Sequence, residues 1–184
     1  MDVRALQVAV AGCQRCQLSK TRTNTVFGAG SLDADLLFIG EGPGHQEDLQ
    51  GLPFVGRAGK LLTAMIAAVG FERDQVYIAN VVKCRPPNNR DPLSDEASAC
   101  SHYLRRQIEI IRPKVIVALG RVSAQLLLDT DAPLRELRGK PQKYRDTDVD
   151  VVVTYHPAYL LRKATEKRKS WDDLWKVRLM LNQS

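Results

Sequence analysis

Four short stretches of the chain, 34–40 (ADLLFIG), 76–80 (VYIAN), 114–119 (KVIVAL) and 149–154 (VDVVVT), are rich in β-branched and aromatic residues and show little polar alternation. A strand with one wet face alternates, whereas a strand covered on both faces stays apolar throughout, so these four predict a buried parallel sheet. Between the first two, Ala58, Leu61, Leu62, Met65, Ile66 and Val69 recur at helical spacing and end at Gly70, a helix stop. Between the second and third, Ala97, Cys100, Leu104, Ile108 and Ile111 form another such stripe, with Ser94 as candidate N-cap and Pro113 just past the end. A further helix is expected after Gly120. A last one carries Trp171, Leu174, Trp175 and Leu179 on one face, with the Trp pair read as core. The repeating βαβ pattern makes this an α/β fold.

The chain has 184 residues, 44% of them hydrophobic, and shows no repeat, low-complexity tract or convincing linker. That predicts one domain over residues 1–184. Lys and Arg number 27 against 21 Asp and Glu, a formal charge of +6, which favours a polyanionic partner such as nucleic acid without requiring one. No run approaches the roughly 20 apolar residues of a membrane span, and the stretch Leu6 to Ala11 is short for a signal peptide, so a cytoplasmic protein is expected. In that reducing compartment four cysteines point to metal or cluster ligands more than to disulfides, with buried thiols as the plain alternative.

In open α/β sheets ligands bind outside the carboxyl ends of the strands. Here those ends carry the unusual residues: Gly40-Glu41-Gly42-Pro43-Gly44 after the first strand, Asn80 after the second, and Thr154-Tyr155-His156-Pro157 after the fourth. The glycines allow close backbone approach, but GxGxxG would need Gly at position 45, which is His45, and no Walker lysine follows. Phe54 lies in a loop bounded by Gly and Pro and preceded by Glu47 and Asp48, where it either plugs the core or stacks on a base. Asn80 carries a donor and an acceptor that suit a pyrimidine edge, or serves as a turn cap. His156 is either structural or a donor toward developing negative charge.

Cys13 and Cys16 form a Cys-x2-Cys pair, and Cys84 and Cys100 follow much later, well separated from one another. Structural zinc sites commonly use two close pairs, so the asymmetry leans toward an iron–sulfur cluster, although four thiolates hold either.

Three stretches, GEGPGHQEDLQGLPFVGRAGKLL at 40–62, NVVKCRPPNNR at 80–90 and YHPAYLLR at 155–162, together with the cysteine placement, resemble the fourth family of uracil-DNA glycosylases. The likeness runs from Cys13 to Arg162, and the joint order of the motifs is far more specific than any one of them. The resemblance implies a three-layer α/β/α sandwich with a four-stranded parallel sheet. It also implies a 4Fe-4S cluster on Cys13, Cys16, Cys84 and Cys100, with zinc the weaker choice, and monofunctional excision of uracil from single- or double-stranded DNA by a monomer near the nucleoid.

In such an enzyme Glu41, Gly42, Pro43, Gly44, Phe54, Asn80 and His156 bind the uracil, and His156 stabilises the leaving base. The family's better-known relatives carry Asp where this chain has Gly42 and Tyr near Gly44. The water must therefore be positioned otherwise, with Glu41 and Glu47 as candidates, and Glu47 equally able to brace the Phe54 loop. Lys83, Arg85 and Arg90 beside Cys84, and Leu160, Leu161, Arg162 and Lys163 after His156, are expected to touch DNA. Two rivals stand beside this reading. One is a relative that traps DNA covalently through a loop histidine, disfavoured because no His lies between Asn80 and Cys100. The other is a zinc-bearing DNA-binding scaffold without activity.

Overall fold

The computed structural model describes residues 2–140 and 142–182. Six strands form one sheet: β1 Ala29–Gly30, β2 Leu36–Gly40, β3 Tyr77–Asn80, β4 Val115–Leu119, β5 Gln142–Lys143 and β6 Asp150–Thr154, in the order β1-β3-β2-β4-β6-β5. β2, β3, β4 and β6 are the four expected strands, paired in parallel. The count of four is corrected to six, because β1 adds antiparallel to β3 and β5 antiparallel to β6. Each added strand is two residues long, too short to leave a periodic signal.

Side chains that alternate along the four central strands enter two separate cores. Leu37, Ile39, Ile116, Ala118, Val151 and Val153 pack on one face with residues of α1 Val3–Ala11, α4 Ser94–Ile111, α5 Arg121–Leu128 and α6 Leu134–Leu137. Leu36, Phe38, Val115, Val117, Leu119 and Val152 pack on the other with α3 Arg57–Ala68, α7 Pro157–Arg162 and α8 Lys167–Asn182. Burial on both faces explains the missing polar alternation and yields the α/β/α layering. Truncating a side chain as deeply placed as Phe38 costs about 3–5 kcal/mol.

Two helix details differ from expectation. The N-cap of α4 is Leu93, not Ser94: the Glu96 carboxylate reaches back to accept the Leu93 N–H at 2.8 Å, so Ser94 begins the helix. On α8 the inward residues are Ser170, Asp173, Leu174 and Val177, while Trp171 and Trp175 are 45% and 46% exposed. Ser170 and Asp173 tolerate burial because Thr154 Oγ1 donates to Ser170 Oγ (3.0 Å) and Arg138 Nε donates to Asp173 (2.9 Å). A face containing two satisfied polar groups does not read as apolar in sequence, whereas the exposed stripe through Trp171 and Trp175 does.

The chain passes from β2 outward to β3 and then back to β4 on the opposite side of β2. This reversal opens a crevice at the carboxyl ends of β2 and β4. No described helix is long and apolar enough to cross a membrane.

Candidate active site

A cleft of about 750 Å³ opens at that crevice, and its walls include Glu41, Gly42, Pro43, Gly44, Glu47, Phe54, Asn80 and His156. All seven expected base-contacting residues therefore come together, from three strand ends and the loop between α2 His45–Gln50 and α3.

Asn80 closes β3 and is 1% exposed. Its Oδ1 is the one buried side-chain polar atom without a hydrogen-bond partner among the described residues. A buried acceptor left unpaired costs about 1–3 kcal/mol, so such an atom signals a ligand that completes it. Gly40 faces Asn80 across the sheet register, and a Cβ there would sit 2.5 Å from Asn80 Oδ1 and 2.7 Å from Phe54 Cζ. Only glycine lets the Asn80 amide and the Phe54 ring approach this closely.

Phe54 holds φ +51, in the left-handed region. Its loop is pinned from both sides. Arg73 Nη2 donates to the Pro53 and Phe54 carbonyls (2.7 and 2.9 Å), and Glu47 Oε1 accepts the Val55 and Gly56 N–H groups (2.9 and 3.0 Å). The Phe54 and His156 ring centroids stand 5.7 Å apart.

His156 caps α7, its Nδ1 accepting the Ala158 N–H at 3.1 Å. With Nδ1 used as an acceptor, the neutral ring carries its proton on Nε2. Burial pushes the imidazole down to about 4; Arg162 acts in the same direction and Glu47 against it. The ring is therefore neutral at physiological pH and offers one N–H. The Glu41 carboxyl is raised by burial and by Asp91, with Arg121 opposing.

Glu47, at the cleft wall, uses one carboxylate oxygen to hold the Phe54 loop. Oε1 is committed to two backbone donors, and Oε2 lies 2.7 Å from where a Cβ on Gly44 would stand. The carboxylate braces the Phe54 loop and fills the room a larger residue at 44 would need.

The cleft also takes in residues passed over individually in sequence. Asn89, at φ +54, accepts from Arg85 Nε at 2.7 Å, and Arg121 Nη2 donates to Asp91 at 2.7 Å. Tyr155 and Tyr159 stack at 5.0 Å, with the Arg138 guanidinium 4.3 Å from the Tyr155 centroid. Their i,i+4 spacing was the available signal.

Two expected DNA contacts, Lys83 and Leu160, are corrected, and Arg90 is found in an ion pair at the cleft wall. Lys83 is 1% exposed, and its Nζ donates to Asn80 O and Gln107 Oε1, so it cannot meet a phosphate. Burial pushes its ammonium down to about 8, with Cys100 opposing. The Arg90 guanidinium is taken up by both Glu96 carboxylate oxygens (2.9 and 2.7 Å) and serves the α4 N-terminus. Leu160 is 1% exposed in the core beneath α7. A sequence run of cations or leucines does not show which members turn inward. Leu161, Arg162 and Lys163 are exposed, and Arg85, half-buried, donates to His45 Nδ1 at 3.1 Å.

Cys13, Cys16, Cys84 and Cys100 line one small cavity away from the cleft, and none is in a disulfide. Arg22 Nη1 donates to Cys84 Sγ (3.1 Å) and the Lys83 N–H to Cys100 Sγ (3.3 Å). Burial raises the Cys84 thiol, with Arg22 opposing, and pushes Cys100 up to about 11, with Lys83 opposing. Donors aimed at sulfur suit thiolate ligands, so the cavity fits a metal group bound by four cysteines.

The uracil-DNA glycosylase superfamily model matches residues 27–176. A type-4 uracil-DNA glycosylase of Sulfurisphaera tokodaii is 49% identical, covering 96% of this chain and 84% of its own. The chain belongs to the type-4 uracil-DNA glycosylases. Similar enzymes of that type from Thermotoga maritima and Archaeoglobus fulgidus are 48% and 46% identical, covering 86% and 91% of this chain and 82% and 87% of theirs.

Proposed function

We propose that this chain hydrolyses the N-glycosidic bond of deoxyuridine in DNA, releasing uracil and leaving an abasic site for base excision repair. The observation that carries the reading is the unpaired, buried Asn80 Oδ1 at the cleft floor beside the Phe54 ring. The N3–H of uracil is the donor that oxygen lacks, and the amide N–H₂ meets the neighbouring carbonyl.

The nucleotide must leave the duplex to reach Asn80, at a cost of a few kcal/mol that is smallest for unpaired uracil. Phe54 then covers one face of the base, and the Glu41–Gly44 backbone lines its edge. As the glycosidic bond breaks, the sugar gains oxocarbenium character and the bonding pair moves onto the base. The His156 Nε2–H is assigned to the base oxygen where that charge collects, a role suited to a neutral ring. Glu41, raised by burial, is assigned to the attacking water, since the Glu47 carboxylate is already committed to backbone donors. Glu47 beside Gly44 supplies the wall that excludes the thymine methyl.

The metal group is read as a 4Fe-4S cluster. The uneven cysteine spacing, with Cys84 and Cys100 far from each other and from Cys13 and Cys16 in sequence, supports that reading over zinc, whose structural sites commonly use two close pairs. The cluster supports structure here and takes no part in base removal. Leu161, Arg162, Lys163 and Arg85 form the DNA-facing set, on one chain acting as a single-domain monomer in the cytoplasm at the nucleoid.

Incubating the protein with uracil-containing and matched thymine-containing oligonucleotides, followed by alkali, tests the reading. Strand breaks are expected only with uracil, in single and double strands. Their absence defeats it. A brown protein with visible cluster absorption is expected alongside, and stoichiometric zinc would replace the cluster assignment.

A further inference from the structure

The base pocket and the cysteine cavity meet in one short segment. Asn80 ends β3, and Lys83 follows three residues later, immediately before Cys84. The Lys83 side chain turns back into the interior, where Nζ donates to the Asn80 carbonyl at 2.8 Å and to Gln107 Oε1 at 2.6 Å. Its own backbone N–H donates to Cys100 Sγ at 3.3 Å. Gln107, on α4, is fixed in turn: its Nε2 donates to Phe27 O at 2.8 Å and lies 3.4 Å from the Tyr77 hydroxyl.

An ammonium removed from water is costly unless its partners are well placed, and an apolar side chain would fill this space with less penalty. What the lysine adds is direction. The Asn80 Oδ1 makes no hydrogen bond within the protein, so its direction is left to the backbone that carries it and to packing beside Gly40 and Phe54. That backbone is tied at Val81, whose N–H donates to Gly40 O (2.9 Å), and at the Asn80 carbonyl by Lys83. We propose that Lys83 is a positioning residue, which aims Asn80 at the base edge and links that aim to the wall of the cysteine cavity through its backbone bond to Cys100. The inference rests on Asn80 as the base-reading residue. It gives the buried lysine and the neighbouring cysteine pair one shared purpose.

The test is a double-mutant cycle in the cluster-bearing protein, with visible absorption recorded for every variant. Asn80→Ala alone should strongly reduce uracil excision. Lys83→Met should lower kcat/KM by about 10- to 100-fold, the scale of a displaced contact group, while keeping cluster absorption. In the Asn80→Ala background the same Lys83→Met change should cost less than about 2-fold, because the group it aims is gone.

Gln107→Leu, which removes the acceptor for Lys83 Nζ, should fall in the same Asn80-dependent way, and Gln107→Glu, which keeps that acceptor but loses the donor to Phe27 O, should fall less than Gln107→Leu. If Lys83→Met fails to fold, the Gln107 pair carries the cycle alone. A readout independent of turnover is the Asn80 side-chain amide signal in ¹⁵N NMR, with free uracil as the probe. It should shift in Lys83→Met and lose its response to uracil. Equal losses from Lys83→Met with and without Asn80, or an unmoved Asn80 signal, overturn the inference while leaving the base-reading role intact. A fully active Asn80→Ala enzyme overturns that role, and the inference with it.

Discussion

Phe54 and His156 face each other with ring planes inclined by 32° and centroids 5.7 Å apart, on a loop and a helix start that share no local sequence. A flat base resting on Phe54 therefore brings one edge toward the imidazole while Asn80 holds another. His156→Ala should slow single-turnover excision by roughly 10²–10³, the effect of losing one preorganised donor, with a much smaller change in DNA affinity. Unchanged chemistry in rapid-quench experiments would sink the assignment.

The depressed His156 value makes a separate statement about acid. The imidazole ordinarily titrates near 6.5 and here near 4, so between those pH values the unfolded chain binds a proton that the folded chain refuses. Stability from this group is thus full above about pH 6.5 and declines as pH falls through 6.5 toward 4. His156→Gln should flatten the pH dependence of the denaturation midpoint across that window. A slope identical to the parent's counts against the buried, neutral ring.

Glu47→Ala removes the acceptor for two backbone N–H groups at the start of α3. A loss of about 1–3 kcal/mol is expected in thermal or chemical denaturation, together with weaker activity from a looser Phe54 loop. Glu47→Gln, which keeps an oxygen for those donors, should recover most of the stability. If both variants lose activity equally with no change in stability, Glu47 acts on the reaction directly.

Exposed cations after His156, unpaired among the described residues, and the ion-paired Arg90 should behave differently toward DNA. Arg162→Ala and Lys163→Ala should each weaken binding regardless of sequence and reduce the slope of log K against log salt by about one. Arg90→Ala should leave that slope alone and lower stability instead, since Glu96 would lose its partner. Salt titrations of binding on one oligonucleotide separate the two classes.

The strands and crossover helices were legible because burial on both sheet faces imposes a continuous apolar pattern, and the cleft because strand ends in such sheets converge. Side-chain direction was not legible. Lys83 and Arg90 read as a basic patch, yet one turns inward to a carbonyl and the other to a carboxylate. Leu160 and Leu161 look alike in sequence, and only the helix register decides that the first is core. Asn89 on a short turn and Arg121 at the first position of α5 reach the cleft from element ends, which carry no periodicity. The commitment of Glu47 to its own backbone depends on the positive φ of Phe54, and nothing in the residue order announces it.

The misread Trp stripe has its own consequence. Trp171 and Trp175 are the chain's two tryptophans, with rings 6.2 Å apart on the outer side of α8 and the Arg178 guanidinium 5.8 Å from the second. Indole light emission follows the polarity around the ring, so two half-exposed rings are expected to emit toward the red already in the native protein. Melting the core would change its colour little, whereas anything settling on α8 would turn it bluer. The chain's intrinsic fluorescence is therefore a poor thermometer of folding and a sensitive gauge of what covers that one helix.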